Sequence, residues 1–268
     1  MPSVTILPAR ATSRFSTRKR LTPLLGAAFC IVLTTPALAD SWEGSIGAGV
    51  TYSPDYLGSD DYDTQAWPVV NLTYGDQLSI NVRNGIEWHA IRNGNWTASP
   101  FIGYTFGRDN EGDISQFEKV DGGATLGLRV SYQQGFWRYS VAGSTSVSGD
   151  VEGAKFSANA ALRMPISERT LFTLTPSVTY SNEKWTESLF GVSVQDSAQS
   201  GVAAYTPDGG YWRMGVNASL SYSLTPEWTA TGFVGTTHLT GSAADSPIVD
   251  ELGSDWQTLT GVSLSYRF

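Results

Sequence analysis

Large apolar side chains occupy the even positions from Trp256 to Phe268 (Trp256, Val262, Leu264, Tyr266 and Phe268), while Gln257, Gly261, Ser263, Ser265 and Arg267 fill odd ones. Successive side chains of a β-strand point to opposite faces, so this stretch reads as a strand with one aromatic, greasy face and one polar face. The same period runs through Trp42, Ile46, Ala48, Val50 and Tyr52, through Leu126 to Tyr132, through Phe156 to Met164 and through Trp212 to Tyr222. Ser, Thr, Gly, Asn and Arg lie between them. The pattern predicts twelve strands, at roughly 42–53, 66–74, 77–83, 86–91, 96–107, 120–133, 137–147, 154–164, 170–182, 209–222, 227–238 and 255–268. The third and fourth are short and joined only by Asn84-Gly85, and merging them reduces the count to ten.

The connections alternate in length. Gly75-Asp76, Asn93-Gly94-Asn95, Gln134-Gly135, 165–169 and Thr225-Pro226 are tight, whereas 54–65, 108–119, 148–153, 183–208 and 239–254 are longer and acidic. Short turns at one end and long loops at the other form the outer-membrane pattern. Aromatics collect at both strand ends: Trp42, Trp96, Trp137, Trp228, Tyr132, Tyr222 and Tyr266 near the turns, and Tyr52, Trp67, Trp212 and Trp256 near the loops. Amphipathic rings favour the headgroup boundary, and a soluble sandwich has no need of two such girdles. The expected fold is therefore all-β, a transmembrane antiparallel up-and-down β-barrel of twelve strands, with ten as the alternative. Its terminal strand, with Tyr266 and Phe268, is the expected signal for the barrel-assembly machinery.

The start of the chain agrees. Arg10, Arg14, Arg18, Lys19 and Arg20 precede an apolar run from Leu21 to Leu33, and Ala37-Leu38-Ala39 supplies a cleavage pattern before Asp40. Residues 1–39 are expected to be a signal peptide and 40–268 the barrel, placed in the outer membrane of a Gram-negative cell against lipid and lipopolysaccharide. Thr22, Pro23, Thr34, Thr35 and Pro36 interrupt the run, which falls short of the roughly 20 apolar residues of a helical anchor. The single cysteine, Cys30, lies in this segment, so the processed chain has no thiol chemistry. Without these residues 12 Lys and Arg face 25 Asp and Glu, a net charge of −13, which argues against a nucleic-acid partner.

Charge is sorted along the strands. Arg129, Arg138, Arg163, Arg213 and Arg267 fall on inferred inward faces and are the candidate lumen charges, the first three and Arg267 in the turn-side halves of their strands. They either line a conductive path or pair locally and close the lumen. The segment Tyr56-Leu57-Gly58-Ser59-Asp60-Asp61-Tyr62, followed by Trp67-Pro68, resembles the first-loop signature of the MltA-interacting protein (MipA/OmpV) family. Tyr74-Gly75-Asp76, Gly107-Arg108, Phe190-Gly191-Val192-Ser193 with Ser200-Gly201 and Tyr205, and Ser246-Pro247-Ile248-Val249 resemble the family in the same order. The resemblance implies an outer-membrane protein whose namesake scaffolds a periplasmic murein transglycosylase and a murein synthase. Tyr56, Gly58, Ser59, Asp60 and Pro68 are the family-motif residues.

Enzyme chemistry finds little support. General-base catalysis needs a histidine near a nucleophile and oriented by a third group; His89 and His238 are the only histidines and lie in distant strands. Asp55, Asp60, Asp61 and Asp63 invite a divalent cation, but their spacing is not that of a calcium loop. No catalytic residue, cofactor or metal ligand is therefore assigned. The leading reading is a scaffolding or interaction barrel linked to the murein machinery, and the alternative a narrow channel for small solutes.

Overall fold

The computed structural model describes residues 42–268, so the expected signal segment and its cleavage between Ala39 and Asp40 lie outside the described residues. Thirteen strand segments follow: β1 (Trp42–Pro54), β2 (Tyr62–Tyr74), β3 (Leu78–Asn81), β4 (Gly85–Trp88), β5 (Ile91–Asn93), β6 (Trp96–Thr105), β7 (Gly123–Gln134), β8 (Trp137–Ser146), β9 (Ala154–Ser167), β10 (Thr170–Ser181), β11 (Tyr211–Ser223), β12 (Trp228–Leu239) and β13 (Trp256–Arg267). Every neighbouring pair is antiparallel. β1 pairs with β13 and β4 with β6, which closes the sheet into a ring.

β4 and β5 occupy one position in this ring, end to end along β6. Glu87 pairs with Phe101 and Ile91 with Ala98, so the register changes by one residue between them. The irregularity spans Trp88 to Ala90 and acts as a β-bulge, which keeps both Trp88 and Ile91 exposed on the outer face despite their odd spacing. Continuing the β4 register would set Trp88 opposite Pro100, whose nitrogen has no hydrogen to offer a ladder. The wall thus has twelve strands, and the ten-stranded alternative is excluded.

Paired residues share a face, and the register fixes which one. Ser45 pairs with Arg267 and Asn71, Arg129 with Ser99 and Ala142, and Arg138 with Ala161, placing polar and small side chains inward. Leu128, Val141, Met214 and Val262 point outward and are exposed. Ring pairs mark both ends of the wall: Trp42–Tyr74, Trp96–Tyr132 and Trp228–Tyr266 at the turns, and Tyr52–Tyr62 and Tyr180–Trp212 at the loops. An apolar outer band between two aromatic belts is what a lipid solvent requires. Closure is completed at the chain end, where Phe268 donates its N–H to the carbonyl of Gly44 at 3.1 Å.

Several expectations shift. β2 begins at Tyr62, four residues earlier than its alternation indicated, because its outer half pairs with β1 through polar residues, up to Tyr62 opposite Pro54. Trp67, expected in the loop-side girdle, pairs with Gly49 and faces the lumen. The β3–β4 hairpin turns at 82–84, and Arg83 stands in this turn rather than in a strand. The segment 183–208, expected as a loop, holds two helices, α1 (Glu183–Phe190) and α2 (Val194–Ser200). A short α3 (Pro247–Asp250) precedes β13.

If hydrocarbon bathes the outer face, a charge there is costly and one inside is not. Leu128→Arg should lower unfolding stability in bilayers by about 2–4 kcal/mol, while the inward Ala161→Ser should stay within about 0.5 kcal/mol. Urea titration of the refolded protein, followed by tryptophan emission, measures both.

Candidate functional site

Inward side chains in the turn-side half line a cavity of about 740 Å³. Arg129, Arg138, Arg163 and Arg267 border it, together with Glu43, Glu87, His89, Asn71 and Asn81. Arg129 is paired with Glu87 and lies over the Phe101 ring, 5.0 Å from its centroid. Among the described residues Arg138, Arg163 and Arg267 have no carboxylate partner within salt-bridge distance. The structure therefore gathers four of the five candidate arginines into one chamber. Arg213 stands apart, at the loop end of β11, where it pairs in register with Leu239.

A second cavity, about 310 Å³, lies toward the loops and is lined by Gly49, Thr51, Trp67, Asn217, Ser219 and Phe233 among others. Asn71 and Asn81 border both cavities and are hydrogen-bonded to each other. Arg83 reaches from the β3–β4 turn to the Phe233 ring, 5.7 Å from its centroid. The inward Gly261 makes room for that ring, since a Cβ there would lie 2.5 Å from its edge. Arg83 and the two asparagines thus narrow the lumen at mid-height.

The loop end is covered by a folded lid that, with the rim beneath it, holds nearly all of the buried apolar side chains among the described residues. Trp185, Leu189 and Phe190 of α1 pack with Val151, Ala243 and Val249, and against Tyr211 and Leu239 on the barrel rim. Tyr211 and Leu239 face inward by register, yet they are 3% and 0% exposed, so the lid covers the mouth at this rim. Lys155 lies 4.7 Å from the Trp185 ring centroid. A second cluster joins Tyr56, Ile114, Phe117, Val192, Val202 and Ile248.

Local sequence explains how short helices persist here. Asn182 caps α1 by accepting from the Trp185 N–H at 3.2 Å, and Ser193 caps α2 by accepting from the Asp196 N–H at 3.0 Å. The Ser193 hydroxyl in turn donates to the Asp196 carboxylate, whose other oxygen accepts from the Glu118 N–H at 2.9 Å. Ser246 donates to the Phe190 carbonyl at 2.7 Å. Arg108 donates to the Leu189 carbonyl at 2.7 Å and lies over the Phe117 ring, joining the second loop to α1. Burial lowers the pKa of this guanidinium, and the charge of Asp196 opposes that shift.

The first-loop motif is the lid's anchor. Gly58 has φ of 106° and fits against Val249, where a Cβ would approach the valine side chain to 2.7 Å. Its N–H donates to Gln257 Oε1 at 3.1 Å, and Gln257 Nε2 donates to the Ser59 carbonyl at 2.9 Å. Ser59 is buried and its hydroxyl accepts from the Asp61 N–H, whereas Asp60 is exposed. Pro68 lies beyond the loop, within β2. The Tyr56 hydroxyl is buried without a hydrogen-bond partner among the described residues, and burial pushes its pKa up to about 12. Among the described residues no three acidic, histidine or cysteine side chains are placed to hold a metal ion. His89 Nδ1 is 2.9 Å from Ser99 Oγ, and His238 bonds Asp255 at 2.9 Å while stacking on Trp256 at the loop-side rim.

These contacts give two tests of the lid. Gly58→Val strains a left-handed position and drives a side chain into Val249, so it should speed proteolysis within 183–208 while the heat-resistant barrel remains. Tyr56 keeps its proton more tightly folded than unfolded. Its contribution to lid stability is therefore complete below pH 10 and falls as pH rises from about 10 to 12. Proteolysis across that range should accelerate in the parent and less in Tyr56→Phe.

Comparison with known proteins follows the same outline. The chain is 27% identical over 265 residues to the MltA-interacting proteins of Escherichia coli (strain K12) and Shigella flexneri, covering 92% of this chain and all of each relative. Among solved structures it is similar to the NanC porin, with a TM-score of 0.45, 10% identity and coverage of 84% of this chain and 100% of that one. An outer membrane channel from Pseudomonas putida F1 gives 0.42 and 10%, covering 84% and 96%. These structural likenesses are remote, and the architecture stands on the strand pairings above. The family described as MltA-interacting protein MipA matches residues 46–268, so the chain belongs to that family.

Proposed function

We propose that this chain is an outer-membrane interaction barrel, capped toward the medium, that engages a murein transglycosylase from its short-turn end. The observation that carries this reading is the lid. Its apolar clusters bury rim residues that an open pore would leave wet; Gln257 ties the first loop to the wall, and Arg108 ties the second loop to α1. A barrel held in this way conducts poorly and serves better as a platform. The relatives' name supports the partner, as they are MltA-interacting proteins. The turn end carries exposed Phe136, Ile166 and Leu224 beside short connections, a surface of suitable character for a periplasmic protein. Aromatic and aliphatic anchors of this kind dominate binding energy where they become buried.

A second reading, a narrow channel for small anions, has one specific observation in its favour. Arg138, Arg163 and Arg267 share the lower chamber with few carboxylates, as an anion-selective vestibule would require.

Two measurements separate the readings. Affinity capture from cross-linked envelopes should recover a murein transglycosylase, and Phe136→Asp should reduce its recovery several-fold with the barrel still folded. In planar bilayers the parent should be silent. Reproducible conductance steps that shrink on Arg138→Ala, without enzyme recovery, would favour the channel.

A further inference from the structure

The ring of strands is complete in its turn-side half and incomplete in its loop-side half. β2 pairs with β1 along its whole length, from Trp42 opposite Tyr74 to Pro54 opposite Tyr62. Its other edge pairs with β3 only from Asn71 to Tyr74. β3 and β4 turn back at 82–84, and β6 pairs with β4 only at Phe101 and Ile102. Beyond the hairpin, β2 from Tyr62 to Val70 faces β6 from Gly103 to Thr105 with no strand between them among the described residues. The wall therefore has a notch in the half of the bilayer nearest the lid.

The backbone of β2 is adapted to this free edge. The Gly44 carbonyl accepts from β13, so even residues of β1 bond to β13 and odd ones to β2. By the same alternation the odd residues of β2 bond to β1, and Thr64, Ala66, Pro68 and Val70 direct their backbone groups into the notch. An unpaired N–H in hydrocarbon is expensive. Two of these four positions avoid that cost: the Thr64 N–H donates to the Asp63 carboxylate at 2.6 Å, and Pro68 has no N–H. Proline is at home on a strand edge and not within a ladder. The sequence thus removes or occupies two of the four donors along this edge.

Its two sides differ in chemistry. Toward lipid its lip carries Ile102, Tyr104 and Phe106, which are 52%, 59% and 66% exposed. Toward the lumen lies the upper cavity, which is lined by Trp67, Phe233 and Arg83. The rings of Trp67 and Phe106, 6.3 Å apart, meet at the opening. With the lid over the loop end, the notch joins the upper cavity to the membrane rather than to the medium.

We infer that the notch is a lateral portal between the lumen and the lipid for an amphiphile with an apolar body and an anionic head. The body passes the exposed aliphatic and aromatic lip and rests against Trp67 and Phe233. The head is held by Arg83, which has no carboxylate partner within salt-bridge distance among the described residues. Arg83 also sits at the constriction between the cavities, so it selects for charge at the step from upper to lower chamber.

The test uses the protein refolded into phosphatidylcholine nanodiscs, with 11-(dansylamino)undecanoic acid and its methyl ester as fluorescent probes. Arg83→Gln should weaken binding of the acid about tenfold, the loss of one charge-assisted contact, and leave the ester unchanged. Equal affinity of parent and variant for the acid overturns the inference, as does an equal loss for acid and ester. A bulky maleimide attached after folding to Ala66→Cys, at the lip, should abolish the fast phase of uptake from the lipid. The same label on Val141→Cys, on an outward face elsewhere in the wall, should not. Uptake indifferent to the label at Ala66, or slowed equally at both sites, overturns the route. The transglycosylase capture reports on the proposed interaction independently of these outcomes.

Discussion

A polypeptide in hydrocarbon must satisfy its own N–H and C=O groups, and a closed ring of strands is the one sheet that does so without an edge. The features of this chain follow from that demand. Alternation of apolar and polar side chains gives each strand a lipid face and a lumen face. The first and last strands pair in register, and the final residue still donates to Gly44. Where the ring is irregular, the sequence removes or occupies some of the donors that would be stranded. Pro100 stands across from the β4–β5 bulge, Pro68 lies on the open edge of β2, and the Asp63 side chain takes the N–H of Thr64. Two prolines and one carboxylate thus ease the same problem at three points of the wall.

Because the wall's greasy face is turned to lipid, the apolar core found inside a soluble protein has no place in the barrel. It is built instead in the loops. Phe190, Ile114, Leu239 and Ile248 are fully buried, and all lie in the lid or on the rim beneath it. Water-exposed loops of this length would ordinarily be mobile, and the burial of a shared core offsets the entropy of ordering them. The first-loop residues Gly58 and Ser59 fit this picture as fastenings, because their contacts are with Val249 and Gln257. A glycine and a buried serine at these positions are accounted for by packing within the lid.

Much of the wall was legible from period-two alternation, because one face answers to a single solvent along the whole strand. The inward placement of Arg129 and Arg138 followed from the same rule. What failed had physical causes. Trp67 was read as a girdle residue because aromatics at strand ends usually meet headgroups; only its pairing with Gly49 shows that it faces the lumen. The gap between β2 and β6 is a property of three strands at once and leaves no periodic trace in any of them. The helices in 183–208 did leave a signal, in Asn182 and in Ser193 followed three residues later by Asp196, but the acidic, polar composition masked it. The reach of Arg83 across the lumen depends on a hairpin that ends at mid-wall, which no alternation along one strand reveals.

The lid and the notch share one stretch of chain. Gly58 and Ser59 are pinned to Gln257 of β13, and Tyr62, the first residue of β2, accepts at its hydroxyl from the Thr258 N–H at 3.0 Å. The free edge of β2 starts at that point and runs to Val70. On the opposite lip, Phe106 is followed within two residues by Arg108, which holds α1. Both lips of the lateral opening are thus direct extensions of the two segments that fasten the lid. The fastenings of the lid and the two lips of the notch are therefore built from the same first and second loops, so the chain that orders one also orders the other.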